Sequence, residues 1–365
     1  MIPFNSFDFQ DRWREELVRA MTRVLDSKWY VMGEELRSFE ASYAELHGVE
    51  YCVGVANGLD AITISLRALD IGPGDEVVVP SNTYIATWLA VSTVGAVPIP
   101  VEPDPVTYNI TSASIEAAIT PRTRAIIPVH LYGQACDMAS IMDVARRNSL
   151  HVVEDNAQGH LATWRGQITG SFGDVNATSF YPSKNLGALG DGGALTTQSS
   201  ALDRRARAFR NYGSEVRYLN RVRGANSRLD ELQAAILNVK LPHLEQLTSE
   251  RRQLAEQYDE YLLGCDAVVR PRVLDGATHV YHLYVIQCER RDELLVHLRE
   301  KGAQALIHYP VPPHLQEAYA DADFRRGQFP IAESIAEQCL SLPLYPGMTG
   351  HQVARVCDLI KDFYE

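Results

Sequence analysis

Short apolar runs alternate with stretches of helical periodicity through the first two thirds of the chain. The runs are typical of buried strands and lie at residues 51–55, 72–80 (after an opening glycine turn), 95–101, 125–130, 151–154 and 177–181. Between them, apolar residues recur at helical spacing, which predicts helices at residues 11–25, 59–69, 112–119, 138–148 and 202–211, and another carrying Phe39 and Tyr43. This alternation favours an α/β fold with a mostly parallel, doubly wound sheet.

The last third of the chain follows a different pattern. A long helix is predicted through about Leu247 and another from Glu250, followed by a strand at residues 279–287, a helix at 290–302, a strand at 305–309 and a final helix at 351–363. We therefore predict a large domain over residues 1–248, which includes an N-terminal arm, and a smaller C-terminal α/β domain over residues 249–365.

Two residues with reactive side chains lie at predicted strand ends in the middle of the chain. Asp155 follows the apolar run at 151–154, and Lys184 follows the run at 177–181 and precedes a glycine-rich segment. Ligands of open α/β sheets bind at the carboxyl ends of strands, so both side chains are candidates for a ligand site. Taken singly, each has an ordinary explanation, because lysines are usually solvated and an aspartate after a strand is usually a turn residue or a helix cap.

This pair suits the chemistry of pyridoxal phosphate (PLP). A lysine amine forms a Schiff base with an aldehyde cofactor, and a carboxylate keeps the pyridine nitrogen protonated so that the ring acts as an electron sink. Lys184 and Asp155 are therefore candidate catalytic residues. Gln158 can hydrogen-bond the ring oxygen of the cofactor, and Ser179 can offer its hydroxyl to the phosphate.

Three longer motifs carry a resemblance to a known family. EDNAQGH (154–160), SFYPSKNLGALGDGG (179–193) and RGANSRLDELQAA (223–235) resemble motifs of the DegT/DnrJ/EryC1/StrS family of sugar aminotransferases. The resemblance extends from FNSFDFQ near the start of the chain to LSLPLYP near its end. It implies a fold-type I architecture like that of aspartate aminotransferase, with PLP as cofactor and nucleotide-linked keto sugars as substrates.

The resemblance implies further cofactor contacts. The strand, glycine turn and helix around Gly58 and Leu59 match the family's phosphate site; a helix N-terminus can bind an anion, although a simple tight turn is an equal alternative. Tyr84 matches an aromatic residue that stacks on the pyridoxal ring. Asn226 matches an asparagine that reaches the phosphate of the neighbouring subunit, which implies a homodimer with shared active sites.

The resemblance also implies the two substrates. The amino donor is expected to be L-glutamate. Gly58-Leu59-Asp60 stands where many members have Gly-Thr, and this variant is similar to members that aminate C-3 of a thymidine-diphosphate (dTDP) 3-keto-6-deoxyhexose. Tyr181, His308, Tyr309 and His314 are candidate sugar contacts, although the last three are equally well explained as ordinary loop residues.

Two other functions of a similar fold remain as alternatives. A PLP-binding sugar-nucleotide dehydratase would carry histidine in place of the cofactor lysine, so Lys184 argues against it. A non-catalytic sensor would lose that lysine or carry an appended DNA-binding domain, and we expect neither here. Turnover of a keto-sugar nucleotide with glutamate separates the enzyme from the sensor.

Composition and charge argue against several other classes of protein. The 365 residues are 46% hydrophobic and 22% charged, enough for a large core, and the net charge is −12 with a pI of about 5.4. So acidic a chain is a poor nucleic-acid binder. The six cysteines form no C-x-x-C pair, so we expect neither a metal site nor a disulfide framework. The N-terminus does not resemble a signal peptide and no apolar run is of membrane-spanning length, so we expect a cytoplasmic protein.

Overall fold

The computed structural model describes residues 1–216 and 218–365 of the chain. Its strands are β1 (Tyr51–Val55), β2 (Glu76–Pro80), β3 (Val97–Val101), β4 (Thr123–Ile126), β5 (His151–Asp155), β6 (Thr163–Trp164), β7 (Gln167–Ile168), β8 (Val175–Ser179), β9 (Gly193–Thr197), β10 (Ser214–Val216), β11 (Leu219–Asn220), β12 (Tyr284–Gln287) and β13 (Cys339–Leu342). Its α-helices are α1 (Arg14–Ser27), α2 (Glu34–His47), α3 (Gly58–Ala68), α4 (Ile85–Thr93), α5 (Ser112–Glu116), α6 (Met138–Arg147), α7 (Ser200–Arg210), α8 (Glu231–Lys240), α9 (Leu244–Tyr261), α10 (Arg291–Glu300), α11 (Pro330–Gln338) and α12 (Gly350–Tyr364). Among the described residues, no helix combines the length and the apolar character needed to cross a membrane.

A seven-stranded sheet in the order β1-β9-β8-β5-β4-β2-β3 forms the centre of the fold. Every neighbouring pair is parallel except the two pairs made by β9, which runs antiparallel to β1 and β8. Val77 and Val79 of β2 pack into one buried cluster and Val78 into another, so helices cover both faces of the sheet. The predicted α/β fold with a mostly parallel, doubly wound sheet is confirmed.

Several predicted strands are displaced or missing. β8 begins and ends two residues before the predicted run at 177–181, and β4 occupies 123–126 instead of 125–130. The strand predicted at 305–309 does not form, since Leu306 makes only an isolated bridge to Ser341. β9, β13, α4 and α11 were among the elements not predicted; β9 contains glycine and threonine and so presents no continuous apolar run.

The long helical segment breaks earlier than its apolar pattern predicted. α8 ends at Lys240, a 3-10 turn spans Leu241–His243, and α9 then runs without interruption through the predicted break between Leu247 and Glu250. Pro242 lies in the turn, where its missing N–H cannot continue the helix. The predicted domain boundary at residues 248 and 249 therefore falls within α9.

The C-terminal residues enclose a hydrophobic core of their own. It contains side chains of α9, α10, α12 and the antiparallel pair β12–β13, and Ile2 from the start of the chain packs into it. Ile2 is held there by backbone hydrogen bonds to Gly302 and Gln304. The division of the chain into two domains stays a prediction, but this second core gives it a physical basis.

Candidate active site

A cavity of about 520 Å³ lies at the carboxyl ends of β5 and β8. Residues far apart in sequence meet there, which is the expected place for a ligand in an open α/β sheet. Ten of the twelve predicted site residues line it: Gly58, Leu59, Tyr84, Asp155, Gln158, Ser179, Tyr181, Lys184, His308 and Tyr309. These ten candidate residues therefore share one cavity.

Lys184 lies in the turn that follows β8. Its backbone N–H donates to the carbonyl oxygen of Tyr181 at 2.8 Å, which begins the turn immediately after the strand. Burial lowers the pKa of Lys184 from 10.5 to about 8, and the charge of Asp155 opposes that shift only in part. The side chain is therefore a neutral, nucleophilic amine at a pH where an ordinary lysine is almost entirely protonated.

Asp155 is the last residue of β5 and is only 6% exposed. Its Oδ2 accepts a hydrogen bond from Thr87 Oγ1 at 2.9 Å, and its Oδ1 accepts one from the N–H of Ala157 at 3.1 Å. Burial raises the pKa of Asp155, while these two hydrogen bonds and the charge of Lys184 act in the opposite direction. Because both oxygens are held, the carboxylate has a defined orientation at the strand end.

The amide of Gln158 is oriented by its neighbours. Its Oε1 accepts the N–H of Tyr132 at 2.6 Å, and its Nε2 donates to the hydroxyl of Tyr309 at 3.1 Å. With the carbonyl end occupied by backbone, the NH₂ group is turned toward the cavity-lining Tyr309. The amide is thus oriented with its NH₂ group at the cavity, and the contact of Gln158 with a ring oxygen stays a prediction.

Gly58 begins α3 opposite Ser179. Asn57 caps this helix, since its Oδ1 accepts the N–H of Asp60 at 2.8 Å. A Cβ added at Gly58 would lie 2.7 Å from the Cβ of Ser179, so only glycine leaves this space open. The first N–H groups of a helix have no partner within it, and with the Ser179 hydroxyl they form a cradle suited to a phosphate.

Tyr84 precedes α4 and stands at the open side of the cavity. Its ring is exposed and lies 5.1 Å from that of Tyr309, centroid to centroid, with an interplanar angle of 36°. Tyr309 therefore contacts both Gln158 and Tyr84, two residues predicted to hold the cofactor. Tyr181 is also exposed at the cavity, whereas His308 is mostly buried, and burial together with the nearby Lys184 lowers the pKa of His308 to about 4.

Two predicted site residues do not line this cavity. Asn226 is exposed and makes a backbone bridge with Asn211, so its predicted role at the cofactor of a second subunit stays a prediction. His314 is buried, with its Nε2 3.0 Å from Glu333 Oε1 and its ring against Phe329. A side chain so enclosed is not placed to contact a sugar, and this position does not support the role predicted for His314.

Among the lining residues that were not singled out from the sequence are four with polar side chains: Thr83, Thr87, Asp191 and His282. The sequence does hint at three of them. Thr83 and Thr87 lie close to Tyr84 in SNTYIAT, and His282 lies in HVYHLYVIQ. His130, by contrast, is committed to structure, because its Nε2 lies 2.7 Å from Glu154 Oε2 and its Nδ1 accepts the N–H of Cys136.

The residues present fit a PLP cofactor. A readily neutral lysine faces a buried carboxylate across a cavity that also contains an open helix N-terminus, and this arrangement defines a PLP-dependent enzyme. Comparison with known proteins agrees, since residues 11–361 match the model of the DegT/DnrJ/EryC1/StrS aminotransferase family. The chain belongs to that family, and its cofactor is PLP.

Similar proteins of known name cover the whole chain. It is 49% identical to the dTDP-3-amino-3,6-dideoxy-alpha-D-galactopyranose transaminase of Aneurinibacillus thermoaerophilus, over 100% of this chain and 99% of that protein. It is also 49% identical to the erythromycin biosynthesis sensory transduction protein EryC1 of Saccharopolyspora erythraea, over 95% of each chain. The crystal structure of Streptomyces venezuelae DesV in complex with a ketimine intermediate superposes with a TM-score of 0.98 at 47% identity, covering 100% of this chain and 98% of that one.

Proposed function

We propose that this aminotransferase moves the amino group of L-glutamate to C-3 of a dTDP-linked 3-keto-6-deoxyhexose in deoxyamino-sugar biosynthesis. The observation that carries the catalytic part is the placement of Lys184 and Asp155 in one cavity, with a lysine pKa of about 8. The names of the similar transaminases and the Gly58-Leu59-Asp60 sequence support the sugar and the carbon that is aminated.

Different cavity residues would bind different parts of the cofactor. The N-terminal turn of α3 at Gly58 and Leu59, with the Ser179 hydroxyl, would hold the phosphate. Gln158 would donate to the ring oxygen and Tyr84 would stack on the ring, since both line the cavity. When bound, PLP supplies an electron sink that stabilises negative charge at the carbon losing its proton.

Lys184 and Asp155 are the two catalytic residues: Lys184 transfers protons, and Asp155 acts on the ring nitrogen of the cofactor. Lys184 Nζ removes the proton from the α-carbon of the amino donor and, in the second half-reaction, returns a proton to the sugar carbon that receives the amine. A lysine with a pKa of about 8 carries this proton in either direction near neutral pH. Asp155, held by two hydrogen bonds, would keep the proton on the ring nitrogen of bound PLP.

The sugar end of the cavity is assigned to Tyr181, His308 and Tyr309. His308 is held by a 2.8 Å contact between its Nδ1 and Ser341 Oγ, and its lowered pKa keeps the ring neutral. Neutral imidazole and phenol groups suit an uncharged hexose, since they donate and accept hydrogen bonds without adding charge.

The working unit is a homodimer with shared active sites. Large apolar side chains are exposed close to one another in sequence, at Trp29, Tyr30 and Val31 and again at Tyr212. Exposed apolar patches of this kind mark interaction surfaces. Asn226 is exposed and adjoins this region, because the N–H of Tyr212 donates to the carbonyl oxygen of Ala225 at 2.8 Å, so its side chain is available to a second subunit.

The alternatives predict different outcomes in one experiment. The visible absorbance of the purified protein with PLP is recorded before and after adding L-glutamate, and a dTDP-linked 3-keto-6-deoxyhexose is then added. A transaminase loses its visible band with glutamate and regains it with the sugar, releasing an amino sugar. A dehydratase releases a deoxygenated sugar instead, and a sensor binds PLP or sugar without transferring nitrogen, so either result would reject the proposal.

A further inference from the structure

A short chain of hydroxyl groups ends on Asp155. Thr87 lies in the first turn of α4, is 1% exposed, and places its Oγ1 2.9 Å from Asp155 Oδ2. The hydroxyl of Thr83, also buried, lies 3.1 Å from the Thr87 hydroxyl. Both threonines line the cavity, and neither has a role in the proposed reaction described so far.

The hydroxyl of Thr87 donates to Asp155 Oδ2, and this bond sets the direction of the next one. An ionised carboxylate can only accept, so Thr87 must donate its single hydroxyl proton to Asp155. Thr87 Oγ1 then accepts the hydroxyl proton of Thr83. The chain therefore runs one way, from Thr83 through Thr87 to Asp155, and it favours the charged carboxylate over the protonated one.

Because Asp155 is buried, each hydrogen-bond donor to its carboxylate has a large effect on its ionisation. Burial alone favours the neutral acid, and hydrogen bonds to a charged group contribute more than those between neutral groups. The ionisable groups that face this carboxylate are Lys184 and His130, together with Cys136 and Tyr309. Among its two direct donors, Thr87 is the one that belongs to a side chain and can be changed.

We propose that Thr87 is a positioning residue of the reaction: its hydroxyl, oriented by Thr83, holds Asp155 ionised and aimed at the ring nitrogen of the cofactor. The proposal rests on the role given above to Asp155. One turn of α4 places both the stacking ring and the donor to Asp155.

The first test uses the protein without cofactor. Thr87→Val removes the hydroxyl at nearly constant shape, Thr87→Ser keeps it, and Thr93→Val removes a hydroxyl of the same helix that bonds only its own helix at Leu89. Urea unfolding is compared at pH 5 and pH 8. The stability lost in Thr87→Val should grow with pH, because the lost bond matters most when Asp155 is charged, whereas Thr93→Val should show the same loss at both pH values.

The second test measures the dissociation constant for PLP across the same pH range. Thr87→Val should weaken binding about tenfold near neutral pH and move the acid limb of the binding curve up by about one pH unit, and Thr87→Ser should stay near the wild type. In an Asp155→Asn background, Thr87→Val should add nothing. A wild-type curve for Thr87→Val, or an equal loss with and without Asp155, would overturn the proposal.

The test still gives a decision if Thr87→Val does not fold or if the wild type does not bind PLP. If Thr87→Val does not fold, Thr83→Val is tested in its place, and it should give a smaller shift in the same direction because it removes the donor to Thr87. No shift in that variant would also count against the chain. If the wild type binds no PLP, the proposed function fails, whereas the unfolding comparison still decides whether Thr87 holds Asp155 ionised.

Discussion

Lys240 Nζ donates a hydrogen bond to the carbonyl oxygen of Gly187 at 2.7 Å. Lys240 is the last residue of α8 and is 3% exposed, and Gly187 lies three residues after Lys184. Gln233 of the same helix accepts the N–H of Leu189 at 2.8 Å. α8 therefore holds the segment that follows Lys184 in place through two hydrogen bonds. Burial lowers the pKa of Lys240 to about 8.

Replacing Lys240 by methionine should change how stability depends on pH. The pKa of Lys240 falls from 10.5 in the unfolded chain to about 8 in the folded protein, so the unfolded chain binds more protons between these values. The wild type should then gain about 2 kcal/mol of unfolding free energy over Lys240→Met between pH 7 and pH 9.5. Urea titrations at both pH values measure this difference. Lys301→Met, which removes an exposed lysine, is the control and should show no such trend.

The attachment of PLP to the cofactor-free protein should follow the titration of Lys184. Only the neutral amine is nucleophilic, so the rate should rise about tenfold per pH unit at acid pH and level off above about pH 8. Asp155→Asn removes the charge that holds the pKa of Lys184 up, and the midpoint should move to lower pH. Stopped-flow absorbance gives both curves. A midpoint above pH 10 in the wild type would contradict the burial of Lys184.

Adding a methyl group at Gly58 should close the phosphate cradle. The new Cβ would lie 2.7 Å from the Ser179 Cβ, so Gly58→Ala should weaken PLP binding by at least about tenfold, a loss of roughly 1.4 kcal/mol. Ser179→Gly in the same chain should relieve the contact and restore part of the affinity. Gly72→Ala serves as the control, because the nearest atom to its Cβ is 3.6 Å away. Equal PLP affinity in the Gly58 and Gly72 variants would remove Gly58 from the cofactor site.

Mixing two inactive variants should recover activity if active sites are shared. Lys184→Ala lacks the catalytic amine and Asn226→Ala lacks the proposed contact to the neighbouring subunit. Random reassociation into dimers leaves about one site in four with both residues intact, so activity should approach about a quarter of the wild type. Steady-state assays after mixing and separate assays of each variant give the comparison. Activity that stays at the sum of the two separate values would place Asn226 outside any shared site.

Much of the site could be predicted from the residues because strand ends and their turns are local features. The apolar run at residues 51–55 predicted β1 correctly. Asp155, Gln158, Ser179 and Lys184, all in or near two predicted runs, line one cavity, although β8 ends two residues earlier than predicted. The resemblance added Gly58, Leu59 and Tyr84, which line the same cavity. His314 shows the limit of this reasoning, since its place in a loop motif gave no sign that Glu333 would enclose it.

By itself, then, the sequence determined the α/β class and the alternation of strands and helices, because hydrophobic periodicity and turn chemistry act over a few neighbouring positions. It also supplied the candidate residues for PLP, several of them through the family resemblance. Only the tertiary structure decided which distant groups touch these residues. Thr87 reaches Asp155 across 68 positions and Lys240 reaches Gly187 across 53, and β9 exists as a strand through its pairing with β1 and β8. Such contacts depend on how helices pack on the sheet and how strands pair, and a local pattern of apolar and polar residues does not predict either.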